Sequence, residues 1–196
     1  STAGVAFQQL TNIPPLLLAS WRMQATALLL AVGAVREWRV ASDDLRARWF
    51  KTWPRLGFSG ACLGAHFGAW VAGLQTTTLA RSLLLVCTTP LFIAFGALAL
   101  CLPSSTGELA GAALGFVGVA MVASDRHDGE RERATWQGDT LSLGAAFYIV
   151  GYMLVGADVR RWMPLCMYAG PVTAVAAVCT GLVSYLTEET EHAGGI

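Results

Sequence analysis

The chain has 196 residues, of which 55% are hydrophobic and 13% charged, and its 13 basic residues balance 13 acidic ones. A soluble domain carries roughly 25% charged residues and already shows apolar atoms over more than half its surface, so a soluble fold is excluded. Zero net charge, with no stretch interleaving basic and aromatic residues in a recognised binding fold, argues against nucleic acid as a partner.

Taken in order, the chain opens on serine, and Ser1–Leu10 reads as the tail of a helix whose beginning is absent. No basic stretch precedes an apolar core there, so this is not a signal peptide. We therefore expect a fragment with a truncated first helix. Thr11-Asn12-Ile13-Pro14-Pro15 breaks that helix, and the proline pair restarts the chain, because a first helical turn tolerates the missing N–H.

Six apolar segments follow, at Pro15–Val35, Leu56–Leu74, Ser82–Leu102, Gly107–Ser124, Thr140–Gly156 and Met163–Leu186. Most approach the ~20 residues that cross a bilayer as an α-helix. With the partial first helix they give seven crossings of an all-α integral membrane bundle. In Leu56–Leu74, Gly60, Gly64 and Gly68 recur every fourth residue and form a groove for close approach of another helix backbone. Ala61, Ala65, Ala69 and Gly73 widen this face, and Leu63, Phe67, Trp70 and Leu74 are expected on a lipid-facing or loosely packed stripe. Gly107, Gly111 and Gly115 repeat the spacing and suggest a second packing face.

The link Arg36–Arg55 holds six basic residues, and Arg160 and Arg161 fall on the same side. The opposite side has Arg126, Arg131 and Arg133. Eight against three places the Arg36–Arg55 link in the cytoplasm, with Trp38, Trp49, Phe50 and Trp53 as its interfacial belt. The acidic end TEETEH then falls outside.

All thirteen carboxylates lie in links or at segment ends. The sequence thus shows no mid-segment Asp or Glu of the kind that relays protons. The embedded polar groups are Arg22, Gln24, His66, Gln75 and Arg81. Arg22 lies roughly 10 Å into its helix, where it either pairs with helix-end carbonyls or lines an aqueous cavity. Arg81 either snorkels to the interface or points inward. His66, with no His or carboxylate at i±3 or i±4, is a packing residue or a cavity residue; a metal site is not expected. Pro90 and Pro171 remove backbone bonds in mid-segment and mark static kinks or hinges around a cavity. Thr88 and Thr89 stand ready to re-satisfy the backbone at Pro90. Tyr148 and Tyr152, one turn apart, are packing residues or cavity walls. The five cysteines, Cys62, Cys87, Cys101, Cys166 and Cys179, lie in apolar segments without CxxC spacing and read as small buried side chains.

Pro14-Pro15 followed by Arg22, Trp70 with Leu74, the cluster Thr76–Thr78, Leu83–Leu85, Pro90 in TTPLF, the helix GELAGAALGFVGVAMV and the restart Gly138-Asp139-Thr140-Leu141 form a pattern that covers nearly the whole chain. This pattern resembles the EamA-type drug/metabolite transporter superfamily. The resemblance implies ten helices in two inverted five-helix repeats, with alternating access around a central cavity. Residues 1–124 would then be the first repeat, 125–137 a polar non-cytoplasmic loop, 138–186 the first two helices of the second repeat, and 187–196 a polar tail. Under that symmetry Met163–Leu186 corresponds to Pro15–Val35, with Pro164 matching Pro15.

The function expected is secondary transport of a small polar or amphipathic metabolite, with Arg22, His66, Gln75, Arg81, Tyr148 and Tyr152 as cavity candidates and no cofactor. The bilayer and a small-molecule substrate are the expected partners, and a second copy of the chain is a further candidate. Two other classes stay open. An integral membrane enzyme needs a nucleophile or metal constellation at depth, and the sequence has no HExxH, paired histidines or embedded carboxylate. A non-transporting assembly subunit explains the glycine stripes but not the mid-segment prolines and arginine.

Overall fold

The computed structural model describes residues 13–99, 105–124 and 135–193. The expected first partial helix, Cys101, the end of the third apolar segment and most of the 125–137 loop lie outside the described residues. Seven helices are described: α1 Pro15–Val40, α2 Asp43–Thr76, α3 Leu79–Val86, α4 Thr89–Ala99, α5 Thr106–Ser124, α6 Trp136–Val159 and α7 Leu165–Ala193. Among the described residues, four spans are long and apolar enough to cross a membrane: Leu16–Val40, Leu79–Ala97 (α3 with most of α4), Trp136–Val159 and Leu165–Leu186. The protein is an all-helical, multi-pass integral membrane protein.

Several boundaries differ from the sequence reading, each for a local reason. The basic link Arg36–Arg55 is almost entirely helical. Only Ala41 and Ser42 separate α1 from α2. Asp43 and Asp44 favour the positive end of the new helix, and the Ser42 hydroxyl accepts from the Leu45 amide at 3.3 Å. Arg46 reaches back to close α1, its Nη2 donating to the Trp38 carbonyl at 3.0 Å and to that of Arg39 at 3.4 Å. α6 begins at Trp136 rather than Thr140, because the Thr135 hydroxyl accepts from the Gly138 amide at 3.1 Å. The third apolar segment is two helices. The chain turns at Cys87–Thr88, and Pro90 falls in the first turn of α4, where its missing N–H is tolerated.

The described residues pack as two compact units. One holds residues 13–68 and 151–193, the other residues 69–99, 105–124 and 135–150. In the first unit α1, α2 and α7 meet along small residues. α7 runs antiparallel to α1: Gly33 lies against Cys166, Gly170 against Ala34 and Gly181 against Ser20. It runs parallel to α2. A Cβ added to Gly60 would stand 2.7 Å from the Val172 carbonyl, and one at Gly64 3.1 Å from that of Ala176. Gly68 faces Leu16 of α1. These contacts need glycine, because any side chain drives the helices apart.

The expected bulky stripe on α2 is a correction. Leu63, Trp70 and Leu74 are buried, at 6%, 8% and 1% exposure. A helix enclosed by neighbours buries large residues as well as small ones, and its open side instead carries Phe50, Pro54, Phe58 and Ala61. The second glycine stripe behaves differently from the first. A Cβ at Gly111 or Gly115 meets no atom within 4 Å, and one at Gly107 meets only Ser105. Among the described residues, the α5 glycines therefore face no neighbouring helix.

Candidate functional site

The six cavity candidates are divided between the units: Gln75, Arg81 and Tyr148 in one, Arg22, His66 and Tyr152 in the other.

In the unit built on residues 69–150, the turn Thr76-Thr77-Thr78 between α2 and α3 meets the start of α6. Gly138 is the reason the elements can touch: a Cβ there would stand 2.7 Å from Thr77 Cβ and 2.8 Å from the Thr76 carbonyl carbon. The Thr135 hydroxyl donates to the Thr76 carbonyl. Thr78 caps α3 by accepting from the Arg81 amide at 3.3 Å, which sets Arg81 in the first turn, facing Asp139. Arg81 Nε donates to Asp139 Oδ1 at 3.1 Å, its Nη2 donates to Oδ2, and the Thr77 hydroxyl donates to Oδ1 at 2.9 Å. This fork-to-fork pair keeps 36% of the arginine and 18% of the carboxylate side chain exposed. One turn on, Ser142 donates to Ser82 at 2.9 Å, both fully buried.

A carboxylate thus holds Arg81. Asp139 is the residue the sequence reading passed over, since it lies at a segment end. The signal was present in the restart Gly138-Asp139, where a glycine that permits close approach precedes an acid in a first helical turn. Of the other candidates here, Gln75 is half-buried and Tyr148 is exposed, edge-on to Phe147 at 6.3 Å.

The break before α4 is held by hydroxyls. Pro90 cannot donate to the Val86 carbonyl, and the Thr89 hydroxyl donates to it instead at 2.8 Å. Thr88 donates to the Leu85 carbonyl at 2.6 Å. Thr88 and Thr89 are both buried.

In the unit built on α1, α2 and α7, Arg22 is half-buried and its guanidinium lies over the Phe67 ring, 4.5 Å from the centroid. Phe67 in turn stands edge-to-face with buried His66, centroids 4.9 Å apart. Two of the candidates are therefore linked through one aromatic ring. Tyr152 belongs to a separate group: its ring is 6.1 Å from that of Tyr168, whose hydroxyl shares a 2.7 Å hydrogen bond with Ser59. Tyr168 is 1% exposed. Gly156 leaves room for its hydroxyl, since a Cβ there would stand 3.0 Å from it.

Pro171 interrupts α7 as Pro90 interrupts the earlier span. The carbonyl it frees is that of Met167, and the Trp49 indole donates to it at 3.0 Å. The first turn of α7 is closed from α1, where Glu37 accepts from the Met167 amide at 2.7 Å. Around these bonds Trp38, Trp49, Phe50 and Trp53 pack edge-on or tilted, with neighbouring centroids 5.2–5.8 Å apart. Nearby, Arg55 pairs with Asp158 at 2.7 Å, and Arg48 lies 4.0 Å over the Trp162 ring. Two residues of the basic segment Arg36–Arg55 thus contact the segment that carries Arg160 and Arg161 directly. Among the described residues, no three His, Cys, Asp or Glu side chains come together as metal ligands.

Comparison with known proteins adds one positive finding. The model of the EamA-like transporter family matches residues 1–124. No curated protein and no solved structure matches the chain. Members of the family are membrane transporters rather than enzymes. A match over more than half of the sequence, together with the proline-broken apolar helices, establishes that this chain belongs to the EamA-like transporter family.

Proposed function

We propose that the protein is a secondary transporter of a small polar or amphipathic metabolite, working by alternating access, and that Arg22 engages a negative group of the substrate. The observation that carries this reading is the discontinuity at Cys87–Thr88 within the apolar span Leu79–Ala97. Irregular backbone at membrane depth is tolerated where it is buried in protein or lines a cavity, and broken helices are the usual binding elements of such carriers. Arg22 is chosen because its guanidinium lies half-buried on α1 over the Phe67 ring, and a planar fork of this kind matches a carboxylate or phosphate. The repeat arrangement, 1–124 followed by 138–186, belongs to the same proposal. It is supported by the like starts of α1 and α7, where Pro14 and Pro164 each accept the amide four residues on, from Leu18 and Tyr168.

The test is uptake into proteoliposomes carrying the full-length protein. The panel is radiolabelled amino acids, organic acids, sugar phosphates and nucleosides. Saturable uptake of one class, lost in Arg22→Gln and weakened in affinity in Arg22→Lys, is the expected result. Folded protein with no uptake above empty liposomes across the panel overturns the transport reading. Normal uptake by Arg22→Gln overturns the role of Arg22.

A further inference from the structure

α1, α2 and α7 leave a groove of about 300 Å³, walled by Ala34, Val35, Met167 and Pro171, with Trp38, Arg39 and Trp49 at its margin. We propose that this groove is a binding site for an anionic phospholipid, with an acyl chain along the apolar wall and the headgroup phosphate at Arg39 and Arg36.

The depth of the groove favours a lipid. It lies where α1 passes from its apolar stretch, ending at Val35, into Arg36-Glu37-Trp38-Arg39. Tryptophan clusters of this kind sit at the headgroup level of a bilayer, so the wall falls among acyl chains and the margin among phosphates. The wall is also dry. The one backbone oxygen that Pro171 strips of its helical partner, the Met167 carbonyl, is taken by the Trp49 indole, so it does not draw water or a polar solute into the groove. The volume is at the lower end for small-molecule sites and the groove is open to its surroundings, which suits part of an acyl chain.

Charge selects the headgroup. Several basic residues in this unit are already engaged: Arg46 by Asp43 and the α1 carbonyls, Arg55 by Asp158, and Arg48 by the Trp162 ring. Glu37, the carboxylate on the same turn of α1, is committed to the first turn of α7. Arg39 at the margin and Arg36 three residues before it are exposed, and neither meets a carboxylate among the described residues. They lie on one helix face and leave a local positive field where a phosphate would stand.

The test is native mass spectrometry of the purified full-length chain released from detergent. It is incubated with equal amounts of palmitoyl-oleoyl phosphatidylglycerol and the matching phosphatidylcholine. A basic residue near the membrane surface changes anionic lipid affinity about five-fold. Arg39→Gln is therefore expected to lower the preference for phosphatidylglycerol about five-fold, and the Arg36→Gln/Arg39→Gln pair about twenty-five-fold. Val35→Trp, which fills the groove, should release both lipids. Arg161→Gln, away from the groove, should leave the preference unchanged, and excess glycerol phosphate should not displace the lipid. Equal retention of the two lipids overturns the proposal. So does a loss in Arg161→Gln equal to that in Arg39→Gln, displacement by glycerol phosphate, or a lipid-free dimer that Val35→Trp dissociates.

Discussion

Gly60 and Gly57 lie on the same helix, less than one turn apart, and alanine at each should move stability in opposite directions. At Gly60 the added methyl would stand 2.6 Å from Val175 Cβ, 2.7 Å from the Val172 carbonyl oxygen and 2.8 Å from Val175 Cγ1. A carbonyl oxygen held in α7 cannot swing aside as a side-chain tip can, so the helices must separate locally. Overpacking of this kind costs about 2–3 kcal/mol, offset by about 1 kcal/mol from replacing a helical glycine with alanine. The net loss is about 1–2 kcal/mol. At Gly57 the methyl meets nothing within 4 Å, so only the gain of about 1 kcal/mol remains. The two variants should thus differ by about 2–3 kcal/mol, or roughly 4–12 °C in Tm for a chain of this size. Contrary to the sequence expectation Cys87 is exposed, so it is first replaced by serine; a thiol-reactive fluorophore then reads the melt in detergent, because Cys62, Cys166 and Cys179 are only partly accessible until the helices part. Gly60→Ala melting at or above Gly57→Ala would refute the close approach of α2 to α7.

The Trp49 indole and Pro171 should be coupled. Trp49→Phe strands the Met167 carbonyl and costs about 1–2 kcal/mol, but less in a Pro171→Ala background, where the alanine amide supplies the missing donor; additive losses in a double-mutant cycle would break the link. Arg81→Gln and Asp139→Asn should each destabilise the protein by about 1 kcal/mol, a modest figure because the pair is part-exposed, and the double variant should lose less than the sum of the two. Equal loss in the double variant and the sum would show that the pair contributes nothing as a pair. For topology, cysteines at Asp44 and Gln137 in a background lacking reactive cysteines should label from opposite sides of sealed vesicles, Asp44 from the cytoplasmic side; labelling from one side contradicts the arginine asymmetry.

What the sequence made legible was whatever depends on local composition. Apolar length and the scarcity of charge pointed to membrane helices, and the four-residue glycine repeat pointed to the face of α2 that meets α7. Pro90 and its two threonines announced their own repair. What stayed hidden needs a partner distant in sequence. Asp139 is a plain first-turn acid until the threonine turn brings to it Arg81, 58 residues before it in sequence. The indole that completes Pro171 comes from 118 residues upstream of Met167, and no periodicity records such a pairing. The Gly107-Gly111-Gly115 repeat shows the converse: spacing alone states that a face is narrow, not that anything occupies it. The helical character of Arg36–Arg55 was masked by its charge, which reads as a link until the caps at Ser42 and Arg46 are seen.

The glycine face of α2 also bears on how the protein is made. α2 is not among the four spans apolar enough to cross a membrane, since its glycines and His66 dilute the leucines and phenylalanines around them. α1 is already present when α2 leaves the ribosome, and Leu16 covers Gly68 at once. The residues that cover Gly60 and Gly64 lie in α7, and at about 5–20 residues per second they follow roughly 5–20 s later. The close-packed face of α2 is thus completed in two stages of synthesis, Gly68 by a helix made before it and Gly60 and Gly64 by one made long after it.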